Sequence, residues 1–177
     1  MAEEFRLKSI TQYAMEYGTY LGLFFIVKFI VNVFLLRFPA LSIVMVLMLI
    51  AVPVISYYFV RRFCDVLPVR SIARIWLFGI YLFFFAALLS GAAEYVYYRY
   101  INPDFLYQQQ HLLEGMLSAM NEQKGGEIFD NMRTTLQESG VQSPIEAVFS
   151  GIWGTVFFGS LYSLLLALFM RKPQNKI

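Results

Sequence analysis

Two ionisable side chains stand inside long apolar stretches, and no others in the chain are so well placed to do chemistry. Lys28 lies in the middle of residues 18–36, GTYLGLFFIVKFIVNVFLL, and Glu94 lies near the end of the apolar run that Arg99 closes. A charge at the centre of a bilayer costs roughly 2.5–3.5 kcal/mol on insertion scales, so each must face protein or water, or extend toward an interface. A structural ion pair between Lys28 and Glu94 is the leading reading, because intramembrane charges tend to pair. A lipid phosphate held at Lys28, or proton coupling at Glu94, is the functional alternative. Asn32 follows Lys28 by one helical turn on the same face, and Arg37, at the end of that run, competes as a partner for Glu94.

A second group is basic. Arg61, Arg62, Arg70 and Arg74 fall within one short segment and could bind anionic lipid headgroups or a cytoplasmic partner, although a topology signal alone would explain them. Nothing else has the spacing of a catalytic site. His111 is the only histidine, so no histidine cluster can hold a metal, and the single Cys64 excludes an internal disulfide and has no nearby base to activate it. No glycine motif cradles a phosphate, and Asp104 and Glu114 read as solvated surface. The chain is expected not to be an enzyme, with no catalytic residue, metal or cofactor.

The elements that carry these residues are membrane helices. A hydrophobic fraction of 59%, a charged fraction of 15% and a mean hydropathy of +0.59 are too apolar for a solvated globule of 177 residues. A net charge of +2 gives no reason to expect a nucleic acid. A run as long as residues 18–36 covers close to ~30 Å, the hydrocarbon thickness of a bilayer. Four spans are expected, at about 18–37, 40–60, 75–98 and 144–169. Residues 1–17 carry Glu3, Glu4 and Glu16, unlike the short positive start of a secretory signal, so the first span is expected to be retained, with a surface helix running into it. Pro39 suits the first position of the second helix, and Pro53 should kink it. In the last span Gly151, Thr155, Gly159, Ser163 and Ala167 recur every four residues, a stripe expected to pack closely on another helix, with packing inside one molecule favoured and a homo-oligomer left open.

Charge then orients the spans. The loop after the second span has four arginines against Asp65, a net charge of +3, and the tail carries Arg171, Lys172 and Lys176. Residues 99–143 have Arg99, Lys124 and Arg133 against six acidic residues, a net charge of −3. Both termini are therefore expected in the cytoplasm of a bacterial cell, with a helical loop at about 102–140 outside. In that loop Asn102 is expected to cap a helix bearing Leu106, Leu113, Leu117 and Met120 on one face, up to Gly125-Gly126. A second short helix with Ile128, Phe129, Met132 and Leu136 should end at Gly140, and Ser143-Pro144-Ile145-Glu146 has the form of a capping box that starts the last span. The loop reads as a helical hairpin that lies against the membrane or caps the bundle.

The segment Tyr100-Ile101-Asn102-Pro103-Asp104-Phe105, the polar helix with Met116 after it, and the Gly-rich span ending Met170-Arg171-Lys172 carry a resemblance. The chain resembles the Bacteroidetes membrane protein family catalogued as domain of unknown function 4199. The resemblance covers most of the chain and implies four spans in an inner membrane, with no catalytic residue to carry over. It also implies genes near a polyprenyl-phosphate glycosyltransferase. The expectation is an all-α, four-span protein of the inner membrane, a non-catalytic accessory or scaffold subunit of a cell-envelope enzyme in contact with membrane lipids. The alternative is a small transporter or lipid-handling protein that uses Lys28 and Glu94.

Overall fold

The computed structural model describes residues 9–35, 37–67, 71–124, 131, 134–135 and 140–170. Five α-helices and no strand occur among them: α1 (Ile10–Leu35), α2 (Ser42–Val66), α3 (Ile72–Val96), α4 (Phe105–Lys124) and α5 (Pro144–Met170). A 3₁₀ turn, Pro39–Leu41, precedes α2, and a π-helical turn, Tyr97–Ile101, extends α3. Four helices, Ile10–Leu35, Ser42–Val66, Ile72–Ile101 and Pro144–Met170, are long and apolar enough to cross a membrane. In hydrocarbon every backbone polar group must be satisfied internally, which a helix does within its own segment. The protein is a multi-pass membrane protein.

Residues 1–8 of the expected surface helix lie outside the described residues, and from Ile10 onward the surface helix expected before the first span and the span itself form one helix. Its start is a capping box, with the Gln12 N–H donating to Ser9 Oγ (3.2 Å) and the Ser9 N–H to Gln12 Oε1 (2.9 Å). After α1 the N–H groups of Arg37 and Phe38 donate back to Phe34 O (3.0 and 2.9 Å). Pro39 then opens the 3₁₀ turn rather than α2, which starts three residues later at Ser42.

The chain divides into two compact units, Met1–Ala92 with Gly151–Ile177, and Ala93–Ser150. In the first, side-chain contacts fix the helix directions. Tyr13 meets Phe63 (5.9 Å between ring centroids) and Tyr17 meets Phe59 (5.1 Å), so α1 and α2 are antiparallel. Gly18 and Gly22 of α1 press on α3, where a Cβ would stand 3.0 Å from Leu82 O and 3.1 Å from Ala86 O, and the rising numbers make these helices parallel. On α5, Gly159 meets Phe83 and Ser163 meets Gly79, so α5 opposes α3. Tyr162 donates its hydroxyl to Pro53 O (2.8 Å) and Cys64 Sγ lies 3.9 Å from Met170 Sδ, which sets α5 parallel to α2. Consecutive spans therefore alternate in direction. The start of α1, the end of α2, the start of α3 and the end of α5 meet at one end, over a core that includes Phe63 stacked on Phe78 (4.0 Å, 8°), Cys64, Ile75 and Ala167.

The second unit holds the end of α3, the π turn, α4 and the start of α5. In the π turn the Asn102 N–H reaches back five residues to Tyr97 O (2.9 Å), and Asn102 itself leaves helical space at φ −143°, ψ 85°. Asn102 was expected to cap α4 with its side chain; instead its Nδ2 lies 3.5 Å from the Tyr97 hydroxyl, and its carbonyl accepts from Phe105 N (3.2 Å). The first helical bond of α4 runs from Gln108 N to Asp104 O (3.0 Å), so the helix starts two residues later than its Asn-Pro signal implies. The buried Phe105 ring packs on Tyr97 (5.3 Å) and Tyr98 (5.7 Å), and that packing holds the turn. Gly140 adopts the left-handed φ of +63° that favours glycine. The expected box forms at α5: Ser143 N donates to Glu146 Oε2 (2.9 Å), and Glu146 N to Ser143 Oγ (3.4 Å). The expected second short helix falls, apart from Asn131, Thr134 and Thr135, outside the described residues, as does Gly125-Gly126.

Candidate functional site

Lys28 lies on the flank of α1, beside the buried Phe25 and Phe29 and the exposed Val27, and is itself half-buried. Side chains on a helix lean toward its N-terminus. Accordingly the ammonium reaches back one turn and stands 5.4 Å from the centroid of the Phe25 ring, away from the nearer helix end at Leu35. Such a cation–π contact contributes about 2 kcal/mol when desolvated, so the ring offsets part of the cost of holding the charge at this depth. Asn32, one turn on, is also half-buried, and Arg37 is exposed in the turn after α1. Lys28 and Asn32 set a cation and an amide on one side of α1, and Arg37 adds a second cation in the turn beyond its end. That set suits an anion better than a metal.

Glu94 belongs to the second unit, where it is half-buried three residues before the π turn begins. Further along, Glu114 is ringed by polar neighbours of its own helix: Gln110 Nε2 donates to Oε1 (3.2 Å), and His111 Nδ1 lies 3.7 Å from Oε2. Asp104 is exposed. Among the described residues no group of three or more histidine, cysteine, aspartate or glutamate side chains could hold a metal ion.

The basic group sits where the first unit brings the end of α2 to the start of α3. Arg61, Arg62 and Arg74 are all exposed there, while Arg70, Arg171 and Lys172 lie outside the described residues. Arg62 is held in place, donating from Nε to the Tyr58 hydroxyl (2.9 Å) with its guanidinium 5.2 Å from the Tyr58 ring centroid. Beside an anionic membrane surface an exposed arginine gains about 1 kcal/mol, and at a span end it serves equally as a topology signal.

The small-residue stripe of α5 is graded along its length. Gly151 is exposed, Thr155 is half-buried, and Gly159 and Ser163 are buried against α3. Ser163 fills the space that a side chain at Gly79 would need, and its hydroxyl is buried without a hydrogen-bond partner among the described residues. Trp76 locks the same seam by sharing its Nε1–H between Ser160 O and Ser160 Oγ, both at 3.2 Å.

Residues 16–172 match the family described as Protein of unknown function (DUF4199). The chain belongs to that family. The match reaches into all four membrane helices, the first from residue 16 on, and takes in every candidate residue above, from Lys28 to Ser163. No curated protein and no solved structure matches the chain.

Three residues of this DUF4199 chain matter to the site without having stood out in the sequence. Phe25 precedes Lys28 by three positions and Tyr58 precedes Arg62 by four, and an aromatic at that offset from a cation faces it on a helix. That spacing was available to be read. Gly79, which receives Ser163, carries no comparable signal, since a lone glycine in an apolar helix marks a close approach without saying to what.

Proposed function

We propose that this protein is a non-catalytic accessory or scaffold subunit of a membrane-bound cell-envelope enzyme that works on polyprenyl phosphates. The observation that supports this reading is the first half of α2. The buried residues of α2 begin only at Ser56, whereas Ile43, Val46, Leu47, Leu49, Ile50 and Val54 are exposed and apolar along one side of the helix, opposite the half-buried Met45, Met48 and Val52. A half-span whose outer apolar side is uncovered offers a surface on which a helix of a larger subunit can pack. The exposed arginines at the end of α2 and the start of α3 support an inner-membrane orientation with both termini in the cytoplasm. The test is purification of the tagged protein from its native membranes with mass spectrometry. A stoichiometric membrane enzyme should co-purify, and Leu47→Trp with Ile50→Trp should release it without changing the melting temperature. A protein that elutes alone, or a partner that survives both substitutions, refutes the reading.

A second reading, lipid handling at Lys28, is favoured by one observation, the ammonium turned inward to Phe25 rather than outward to the interface. In that case a phosphate-bearing lipid should remain bound through native mass spectrometry and be lost in Lys28→Met. Equal lipid retention by the variant and the parent would remove this role.

A further inference from the structure

We infer that α4 is an interfacial helix that rests its Leu112, Leu113 and Met116 face on the acyl boundary of the lipid bilayer. The helix is two-sided. Leu106, Leu112, Leu113 and Met116 fall on one arc at helical spacing, while Gln108, His111, Gly115 and Ser118 fall on the other. The protein itself uses only part of the apolar arc: Phe105 and Leu117 are buried, but Leu112, Leu113 and Met116 remain 48%, 45% and 55% exposed. Something apolar must cover them, and the position of α4 in the chain says what lies beside it.

The span ends at Ile101, and only Asn102, Pro103 and Asp104 separate it from α4, so the helix starts within about 10 Å of the bilayer surface. Its first residue then turns back. Phe105 follows Tyr98 by seven residues, a rise of roughly 10 Å in a continuous helix, yet the two rings lie 5.7 Å apart and nearly parallel. Tyr97 and Tyr98 sit about one turn inside the end of the span, so Phe105 brings the first turn of α4 to the depth of the interface. The exposed Tyr100, Ile101 and Tyr107 flank that turn with the aromatic and apolar side chains that favour this depth. The polar side also suits a water-facing position, because Glu114 finds its partners, Gln110 and His111, on its own helix. With Glu114 and Glu122 set against the single Lys124, and Asp104 just before its start, the helix carries no excess of positive charge, so it fits a zwitterionic surface and draws no strength from anionic lipid.

Spin labels in the full chain, reconstituted in phosphatidylcholine nanodiscs, test this directly. In a Cys64→Ser background, labels at Leu113→Cys and Met116→Cys should collide with oxygen several-fold more readily than with a water-soluble nickel reagent. His111→Cys and Gly115→Cys, the latter at a position with no atom within 4 Å of an added Cβ, should show the reverse. Leu112→Cys replaces either apolar position if that variant melts early. Nickel accessibility at all four positions would overturn the inference by showing a solvated helix. Exclusion of both reagents at 113 and 116 would overturn it equally, by showing that protein, a second copy or a partner, covers the face.

Discussion

Replacing Gly159 by alanine adds one methyl group, and the seam between α3 and α5 sets its cost. The new Cβ would overlap Phe83, reaching its Cγ, standing 2.6 Å from Cδ2 and 2.7 Å from Cβ. A ring can swing aside, but the Phe83 Cβ is fixed to the α3 backbone, so the helices must separate by a fraction of an ångström or more. Overpacking of this kind costs about 1–3 kcal/mol, offset by the roughly 0.5–1 kcal/mol that alanine gains over glycine in a helix. The expected net loss is about 1–2 kcal/mol. Gly154, one and a half turns earlier, has nothing within 4 Å of an added Cβ, so Gly154→Ala should keep the propensity gain and lose nothing. The two alanines should therefore differ by about 2 kcal/mol, or roughly 4–8 °C in melting temperature for a chain of this size. Gly159→Leu should fall further still, and Leu165→Val, at an exposed position, should stay within about 1 kcal/mol of the parent. The assay is thermal unfolding in one detergent for all four variants. If Gly159→Ala melts with Gly154→Ala, at or above the parent, the seam is not the close contact described and the argument from it fails.

Three other outcomes are expected. If Lys28 and Glu94 neutralise each other, Lys28→Met and Glu94→Gln should each lower thermal stability, by less than the roughly 3–5 kcal/mol of a fully buried pair because both are half-buried, and the double variant should recover much of the loss. Additive losses would reject a direct pair and turn attention to Arg37. Ser143→Ala should cost about 1 kcal/mol by opening the box at α5 while Glu146→Gln keeps it, measured as melting temperature, and equal melting of the two would refute the capping role. For orientation, native Cys64 is uninformative, since it is buried against Met170 and shielded from either side; in a Cys64→Ser background an impermeant thiol reagent should label Lys124→Cys in intact cells and Arg74→Cys only after permeabilisation, and the opposite pattern inverts the topology.

How much of the fold was legible depended on which physical signal each feature carries. The spans were readable because length and hydropathy are enforced by the bilayer, whatever the helices pack against. The α5 box was readable because Ser143 and Glu146 satisfy each other locally. The same pattern at Ser9 and Gln12 was present, but the strength of the apolar run from Gly18 drew the expected boundary inward. Asn102 misled for the opposite reason. Asn-Pro is a sound local start signal, yet Tyr97, Tyr98 and Phe105 pack together, the π turn takes up an extra residue, and the cap moves to Asp104. Tertiary packing of aromatics outweighed a capping preference of about 1 kcal/mol.

The candidate site was harder to read because membrane helices lose the contrast that marks an inner face in water. On α3 the buried Ile75, Phe78, Leu82 and Phe83 alternate with the exposed Leu77, Tyr81, Phe84 and Leu88, and nothing in residue type separates the two sets. Lipid is as apolar as the core, so helix association rests on close packing, and small residues carry most of the record of it. Gly18, Gly22, Gly79 and Gly159 all lie at such approaches, whereas Gly115 and Gly154 do not, so glycine alone nominates a contact and only its opposite residue confirms it. Ser163 adds a second kind of information. A hydroxyl buried without a partner costs about 1–3 kcal/mol, a burden that packing against Gly79 does not relieve. Ser163→Ala should therefore raise the melting temperature while leaving the helix spacing unchanged, because the alanine methyl keeps the contact that the serine Cβ already makes. If Ser163→Ala instead melts earlier, the hydroxyl has a partner that holds the seam, and the stripe owes its stability to hydrogen bonding rather than to close approach.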